Sequence, residues 1–223
     1  MRILAVDGAL ARASAAVWMD GRVLAAAASD GARGQPTALP VLARQVLEQA
    51  GLRATALDAV AAVVGPGGFT GLRAALALAQ GLALAADRPA IGVTTGEALA
   101  AGLDPAQRAG REVWCCIDTR RGRLLLERFA PGGVVALGPP ASLAPEELPQ
   151  APGAGVLLAG DAAGMALPVL LARGVAAEDS GHALPWAADA AAVAAQRLAG
   201  TLPPLAALPL YVEPPAVRPP AAP

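Results

Sequence analysis

At 223 residues, 55% hydrophobic and 16% charged, the chain has room for one large or two small domains and is too apolar to be disordered. A net charge of −1 with no basic stretch excludes tight nucleic-acid binding by this chain alone. The adjacent pair Cys115 and Cys116 gives no disulfide framework, and with one histidine, His182, a His- or Cys-based metal site lacks ligands.

The start, MRILAVDG, reads as a strand over 2–7 ending on Asp7, and it lacks the long apolar core of a signal peptide. Strands over 13–19 and 22–28 follow, joined by the turn Asp20-Gly21. The segment LPVLARQVLEQAG predicts a helix with Thr37 as N-cap, Pro40 in its first turn and Gly51 as its stop. Leu39, Leu42, Ala43, Val46 and Ala50 share one face of that helix. DAVAAVV (58–64) is a buried strand. The turn GPGGFTG (65–71) leads into an apolar helix over 72–86, which is too short for a roughly 20-residue membrane span. A strand over 89–93 and a helix capped by Thr95 complete the half.

The pattern then restarts. EVWCCID (112–118) is a strand ending on Asp118, as the first ended on Asp7; the cysteines read as small buried strand residues. The turn TRRG leads to a strand over 123–129, and Pro-Gly-Gly leads to another over 134–137. A strand over 156–160, a helix from near Asp161 and a helix within 187–199 close the half. The chain is therefore α/β, with hairpins opening each of two lobes, 1–100 and 101–212, and a proline-rich tail over 213–223.

GPGGFTGLR (65–73) sits where a strand turns into a helix, a common place to hold phosphate. A P-loop needs lysine after its last glycine, but Leu72 and Arg73 follow Gly71; the dinucleotide fingerprint needs a third glycine where Thr70 stands. No GxSxG elbow, Ser–His pair or metal set supports a hydrolase or peptidase. The turn then reads as a tight corner with Thr70 as helix cap. Arg73 in the first helical turn opposes the helix dipole, which points to a carboxylate or phosphate partner. Between Arg73 and Asp87 the helix carries one polar side chain, Gln80, so it needs cover on nearly every side. Ala77, Gly81 and Ala85, spaced by four, allow another helix to approach. Asp7, Thr70, Arg73, Asp118 and Arg120 are the candidates for contacting a nucleotide or other anion.

ILAVD (3–7), GPGGFTGLR (65–73), IDTRRG (117–122) and LPLYV (208–212) resemble, in order and spacing, the TsaB family, also called YeaZ. The resemblance implies a two-lobed actin-like, Hsp70-type ATPase (ASKHA) fold with a duplicated hairpin-rich lobe. It implies a noncatalytic, cytoplasmic scaffold in making threonylcarbamoyladenosine beside the tRNA anticodon. In that pathway TsaD transfers the threonylcarbamoyl group to adenosine N6, TsaB pairs with TsaD, and TsaE joins them. The scaffold would hold no cofactor of its own, with ATP or ADP and magnesium in the assembled complex, and would meet tRNA only through it. TsaD-like proteins hold metal through an HxxxH pair that a chain with one histidine cannot supply. The family's pairing surface is a helix bundle, which here implies Leu39, Leu42, Ala43, Val46, Arg73, Leu76, Ala77, Gln80, Gly81 and Leu84. The same surface is a candidate for self-pairing in isolation. The chain departs from the family in its first turn, where Gly8-Ala9-Leu10 replaces hydroxyl residues, at Gly68, and after LPLY, where Val212-Glu213 replaces an arginine. The alternative is an autonomous nucleotide-binding ATPase of the same fold.

Overall fold

In the computed structural model, which describes residues 1–31 and 33–213, two five-stranded mixed sheets lie in sequence order. The first contains β1 (Arg2–Asp7), β2 (Arg12–Met19), β3 (Arg22–Asp30), β4 (Ala59–Gly65) and β5 (Ala90–Thr94), ordered β3-β2-β1-β4-β5. The second contains β6 (Glu112–Asp118), β7 (Leu124–Phe129), β8 (Ala141–Leu143), β9 (Val156–Ala159) and β10 (Ala177–Asp179), ordered β8-β7-β6-β9-β10. In each, the leading strand pairs antiparallel with the next and parallel with the fourth. The duplication is thus one of topology, and Asp7 and Asp118 end equivalent strands. All but Glu213 of the tail expected over 213–223 lies outside the described residues.

Strand alternation divides the core. Leu4, Val6, Val60 and Ala62 point to one face of the first sheet, where they meet α1 (Gln35–Gln49) and α2 (Phe69–Ala86). Ile3, Ala5, Ala61 and Val63 point to the other, into a core shared with Cys115, Ile117 and Phe129 of the second sheet. Trp114 and Cys116 face the opposite way, toward α5 (Ala163–Ala172). The two cysteines are buried, on opposite sides of one strand. The shared core also takes in α3 (Thr95–Ala101) and α6 (Ala187–Leu198). α6, expected in the second lobe, packs on β1, β2 and β4. Its small inner face, Ala187, Ala190, Ala191 and Ala194, lets it lie close on an alanine-rich sheet.

Several element boundaries differ from the sequence reading. α1 starts at Gln35, with Gly34 as N-cap and Pro36 in its first turn, so Thr37 and Pro40 lie within it. The early start follows from Gln35, whose buried side-chain amide donates to the carbonyls of Leu10 (3.2 Å) and Gly31 (3.1 Å). α3 is capped by Thr94 rather than Thr95, in a reciprocal box with Glu97. Residues 134–137 form no strand; Ala136 alone bridges Phe129, and β8 takes the third-strand position. A short helix, α4 (Pro105–Arg108), occupies the connection between the halves. α2 runs 18 residues from Phe69 and, by length and composition alone, could cross a membrane. Its Ala75, Leu76, Ala79 and Ala83 are instead packed into the first lobe.

The glycine-rich turn is fixed by backbone meeting backbone. The Gly68 N–H donates to the Ala9 carbonyl at 2.7 Å, and a Cβ added at Gly67 or Gly71 would strike the carbonyl of Ala9 or Gly8. The first hairpin turn and the start of α2 therefore touch with no side chain between them.

We expect Gly71→Ala to destabilise the fold by about 1–3 kcal/mol, through overpacking against a carbonyl that cannot move alone. Denaturant unfolding followed by circular dichroism reads this; an unchanged midpoint would contradict the close approach. Leu39→Ala, which opens a cavity between α1 and the sheet, should cost about 2–5 kcal/mol in the same measurement. Val41→Ala, on the exposed side of the same helix, should stay within about 0.5 kcal/mol of the parent.

Candidate functional site

Between the lobes lies a cleft of about 840 Å³. Residues 8–11 and 66–71 wall it from the first lobe, 117–121 and Asp161 from the second, and 210–213 from the chain's last segment. The start of α2, whose first amides lack helical acceptors, faces this space.

The anion candidates do not act as one set. Asp7 is fully buried beneath the first hairpin turn and does not line the cleft. One of its oxygens accepts the Ala9 N–H at 2.9 Å, the other has no partner among the described residues, and burial raises its pKa to about 7. Asp118 does reach the cleft, but it is engaged. It accepts the Arg120 backbone N–H at 2.7 Å and pairs with the Arg120 guanidinium at 3.1 Å. Arg120 also pairs with Asp161 at 3.1 Å, and Asp161 accepts the Asp118 N–H at 2.9 Å. Burial raises the pKa of Asp161, only partly offset by these donors. Two carboxylates thus already engage Arg120 within the cleft, beside Arg121.

Thr70 is the second residue of α2 and does not cap it. Gly68 is the N-cap in extended conformation, because the Gly68 carbonyl already accepts from Leu72 at 3.0 Å. Among the described residues, Arg73 makes no ion pair with a carboxylate. Its Nε and Nη2 donate to the Tyr211 hydroxyl at 3.2 and 2.8 Å, and the guanidinium lies 3.8 Å from the centre of the Phe69 ring. Tyr211 is there because the last segment crosses back over both lobes. The Gly92 N–H donates to Leu205 O, the Gln80 side chain to Ala207 O at 2.7 Å and the Leu210 N–H to Val64 O, and Ser142 donates to Glu213. Residues 205–213 thus tie the first lobe, through β4, β5 and α2, to Ser142 of the second lobe through Glu213.

The interface candidates divide by burial. Leu39, Leu42, Ala43, Val46 and Leu76 are core residues holding α1 and α2 to the sheet, and they have no surface to offer a partner. The face they share is the inner one, which an amphipathic pattern cannot distinguish from a docking face. Arg73, Ala77, Gln80, Gly81 and Leu84 are exposed. Leu84 is 84% and Phe69 59% exposed, large values for such side chains. Between the two helices, Leu47, Leu52, Leu78 and Leu82 line an apolar groove of about 450 Å³ edged by Arg44, Glu48 and Arg53.

Sequence reasoning missed Asp161, Phe69 and Tyr211. Asp161 follows β9, the counterpart of β4, which is followed by Pro66, so the repeat between the lobes carries no signal for it. His182 lies not at the surface but partly buried beside Gly102 and Asp189, and burial lowers its pKa.

A family model described as "TsaD: tRNA N6-adenosine threonylcarbamoyltransferase" matches residues 31–141. The chain is 40% identical over 124 residues to the tRNA threonylcarbamoyladenosine biosynthesis protein TsaB of Escherichia coli, a match covering 56% of this chain. It spans about half, 53%, of the length of that curated relative. A crystallised YeaZ from Pseudomonas aeruginosa superposes with a TM-score of 0.79 at 28% identity, covering 94% of this chain and 100% of the other. At the level of fold alone, the ethanolamine utilization protein EutJ of Carboxydothermus hydrogenoformans matches with a TM-score of 0.51 at 13% identity, over 87% of this chain and 90% of the other. By sequence over about half its length and by two-lobed fold over nearly all of it, the chain is similar to TsaB (YeaZ) proteins.

Proposed function

We propose that the chain is a noncatalytic scaffold for transfer of a threonylcarbamoyl group to adenosine N6 beside the tRNA anticodon, and that it docks a TsaD-type partner on the outer face of α2. The observation carrying this reading is the exposed stripe of Phe69, Ala77, Gly81 and Leu84 on a helix already anchored from behind. Ala77 and Gly81 keep the surface low enough for a second helix to lie close. Covering Leu84 and Phe69 removes two large apolar side chains from water, worth about 1.5–3 kcal/mol each when complete. A second copy of this chain could use the same face in the partner's absence. Chemistry falls to the partner, since one histidine cannot form the HxxxH pair of TsaD-like proteins. The similarity to E. coli TsaB supports the pathway. TsaE, ATP or ADP with magnesium, and tRNA would then be met in the assembled complex, in the cytoplasm.

A second reading, an autonomous nucleotide-binding ATPase, has the size of the cleft in its favour. Against it stand the burial of Asp7 and the pairing of Asp118 and Asp161 with Arg120. On the scaffold reading, calorimetry of the isolated chain with ATP and magnesium gives weak or no heat of binding and no turnover. Tight binding with turnover would overturn it.

Ala77→Arg places a charge on the exposed stripe without touching the core. It should weaken association with a TsaD-type partner at least about 100-fold, as loss of a central contact does. Thermal stability should be unchanged. Undiminished co-purification and affinity would remove α2 as the docking face.

A further inference from the structure

Three ionisable side chains meet inside the seam between the lobes, apart from the cleft and from the outer face of α2. They are Glu97 of α3, Glu127 of β7 and Arg197 of α6, all buried. Arg197 donates to Glu97 at 2.7 Å, and the other Glu97 oxygen accepts the Thr94 N–H at 2.7 Å. Glu97 is therefore fully engaged as a carboxylate. Glu127, 2% exposed, accepts the Thr94 hydroxyl at 3.0 Å through one oxygen, while its other oxygen is buried and accepts no hydrogen bond among the described residues. One guanidinium cannot neutralise two buried carboxylates. Burial, and then the charge of Glu97, push the Glu127 carboxyl up to about 8, so it holds a proton at neutral pH. The titratable and charged groups facing it are Glu97 from α3, Arg197 from α6 and, opposite in the ladder, the Cys115 thiol of β6.

The corner at 94–95 extends this cluster toward the working surfaces. Thr94 binds Glu127 across the seam, and the next residue, Thr95, donates its hydroxyl to the Pro66 carbonyl at 2.6 Å. Pro66 belongs to the glycine-rich turn that walls the cleft and launches α2. We propose that Glu127 is a proton-dependent pin between the lobes: neutral, it sits beside Glu97 in the seam and steadies the 94–95 corner and the glycine-rich turn; ionised, its uncompensated buried charge beside Glu97 loosens both, although the carboxylate would still accept from Thr94. Because the folded-state value lies above the ordinary 4.5, the stabilisation is complete below about 4.5 and is lost as pH rises through about 8.

Hydrogen exchange of the isolated full chain between about pH 6.5 and 9.5, corrected for base-catalysed intrinsic exchange, tests this. Protection over 66–72, 94–101 and 124–129 should fall at least about tenfold between about pH 6.5 and 8 and level off above about pH 8. Asp7 also titrates, near 7, beneath the turn that touches Gly67 and Gly71, so the comparison with Glu127→Gln isolates the pin. That variant should keep its protection over 94–101 and 124–129 across the range. No pH-dependent loss in the parent, or an equal loss in Glu127→Gln, overturns the proposal. A carbon-13 carboxyl titration of the parent reads the group without any substitution: a midpoint near 8 supports the pin, and one near 4.5 overturns it.

Discussion

The contact on which the first lobe depends is backbone against backbone, where Gly67 and Gly71 of the glycine-rich turn meet Gly8 and Ala9 of the first hairpin turn. Side chains there would push the two turns apart. Without them, the Gly68 N–H reaches the Ala9 carbonyl and α2 starts at Phe69, three residues before its apolar run suggests. That sets the direction of α2, and with it which residues are buried and which remain exposed. The motif that looks like a phosphate loop thus spends its glycines on closeness within the chain. Its remaining free amides face a cleft lined from the second lobe by Arg121 and by Arg120, which two carboxylates already engage.

An alanine-rich core makes such closeness necessary throughout. Small side chains bury little area each, so sheets and helices must approach tightly to gain enough. The alanine face of α6 lies on the first sheet although the helix belongs to the second half of the sequence, and one core runs through both lobes. The last segment repeats this crossing on the outside, tied to Val64, Gly92 and Gln80 in the first lobe and to Ser142 in the second. The lobes are joined by α3, α6 and this tie as well as by the connection at 101–111. The buried side chains of Glu97, Glu127 and Arg197 lie where α3, β7 and α6 converge.

Much of the fold was legible because strand periodicity and turn chemistry are local. RILAVD and EVWCCID each end on aspartate before a hairpin, and the two sheets repeat that order. Helix faces were legible as patterns but not as destinations: Leu39 and Val46 share a stripe, and only packing shows that it faces the sheet. The start of α1 was hidden because a distant carbonyl, Leu10 O, holds Gln35, while Thr37 looks locally like a cap. Arg73 was legible as a cation placed against the helix dipole. Its partners, Phe69 and Tyr211, could not be inferred, since the phenol arrives from 138 positions away. Glu127 sat in plain view within LLLERF, on the inward phase of its strand, but its meaning depends on α3 and α6.

The central claim is that the outer face of α2 supports threonylcarbamoyl transfer to tRNA. It is tested most directly by nucleoside mass spectrometry of tRNA from cells depleted of the protein and supplied with either the parent chain or Leu84→Glu. The account predicts that depletion lowers threonylcarbamoyladenosine, that the parent restores it, and that the folded variant does not. Unchanged threonylcarbamoyladenosine on depletion, or full restoration by the variant, would contradict it.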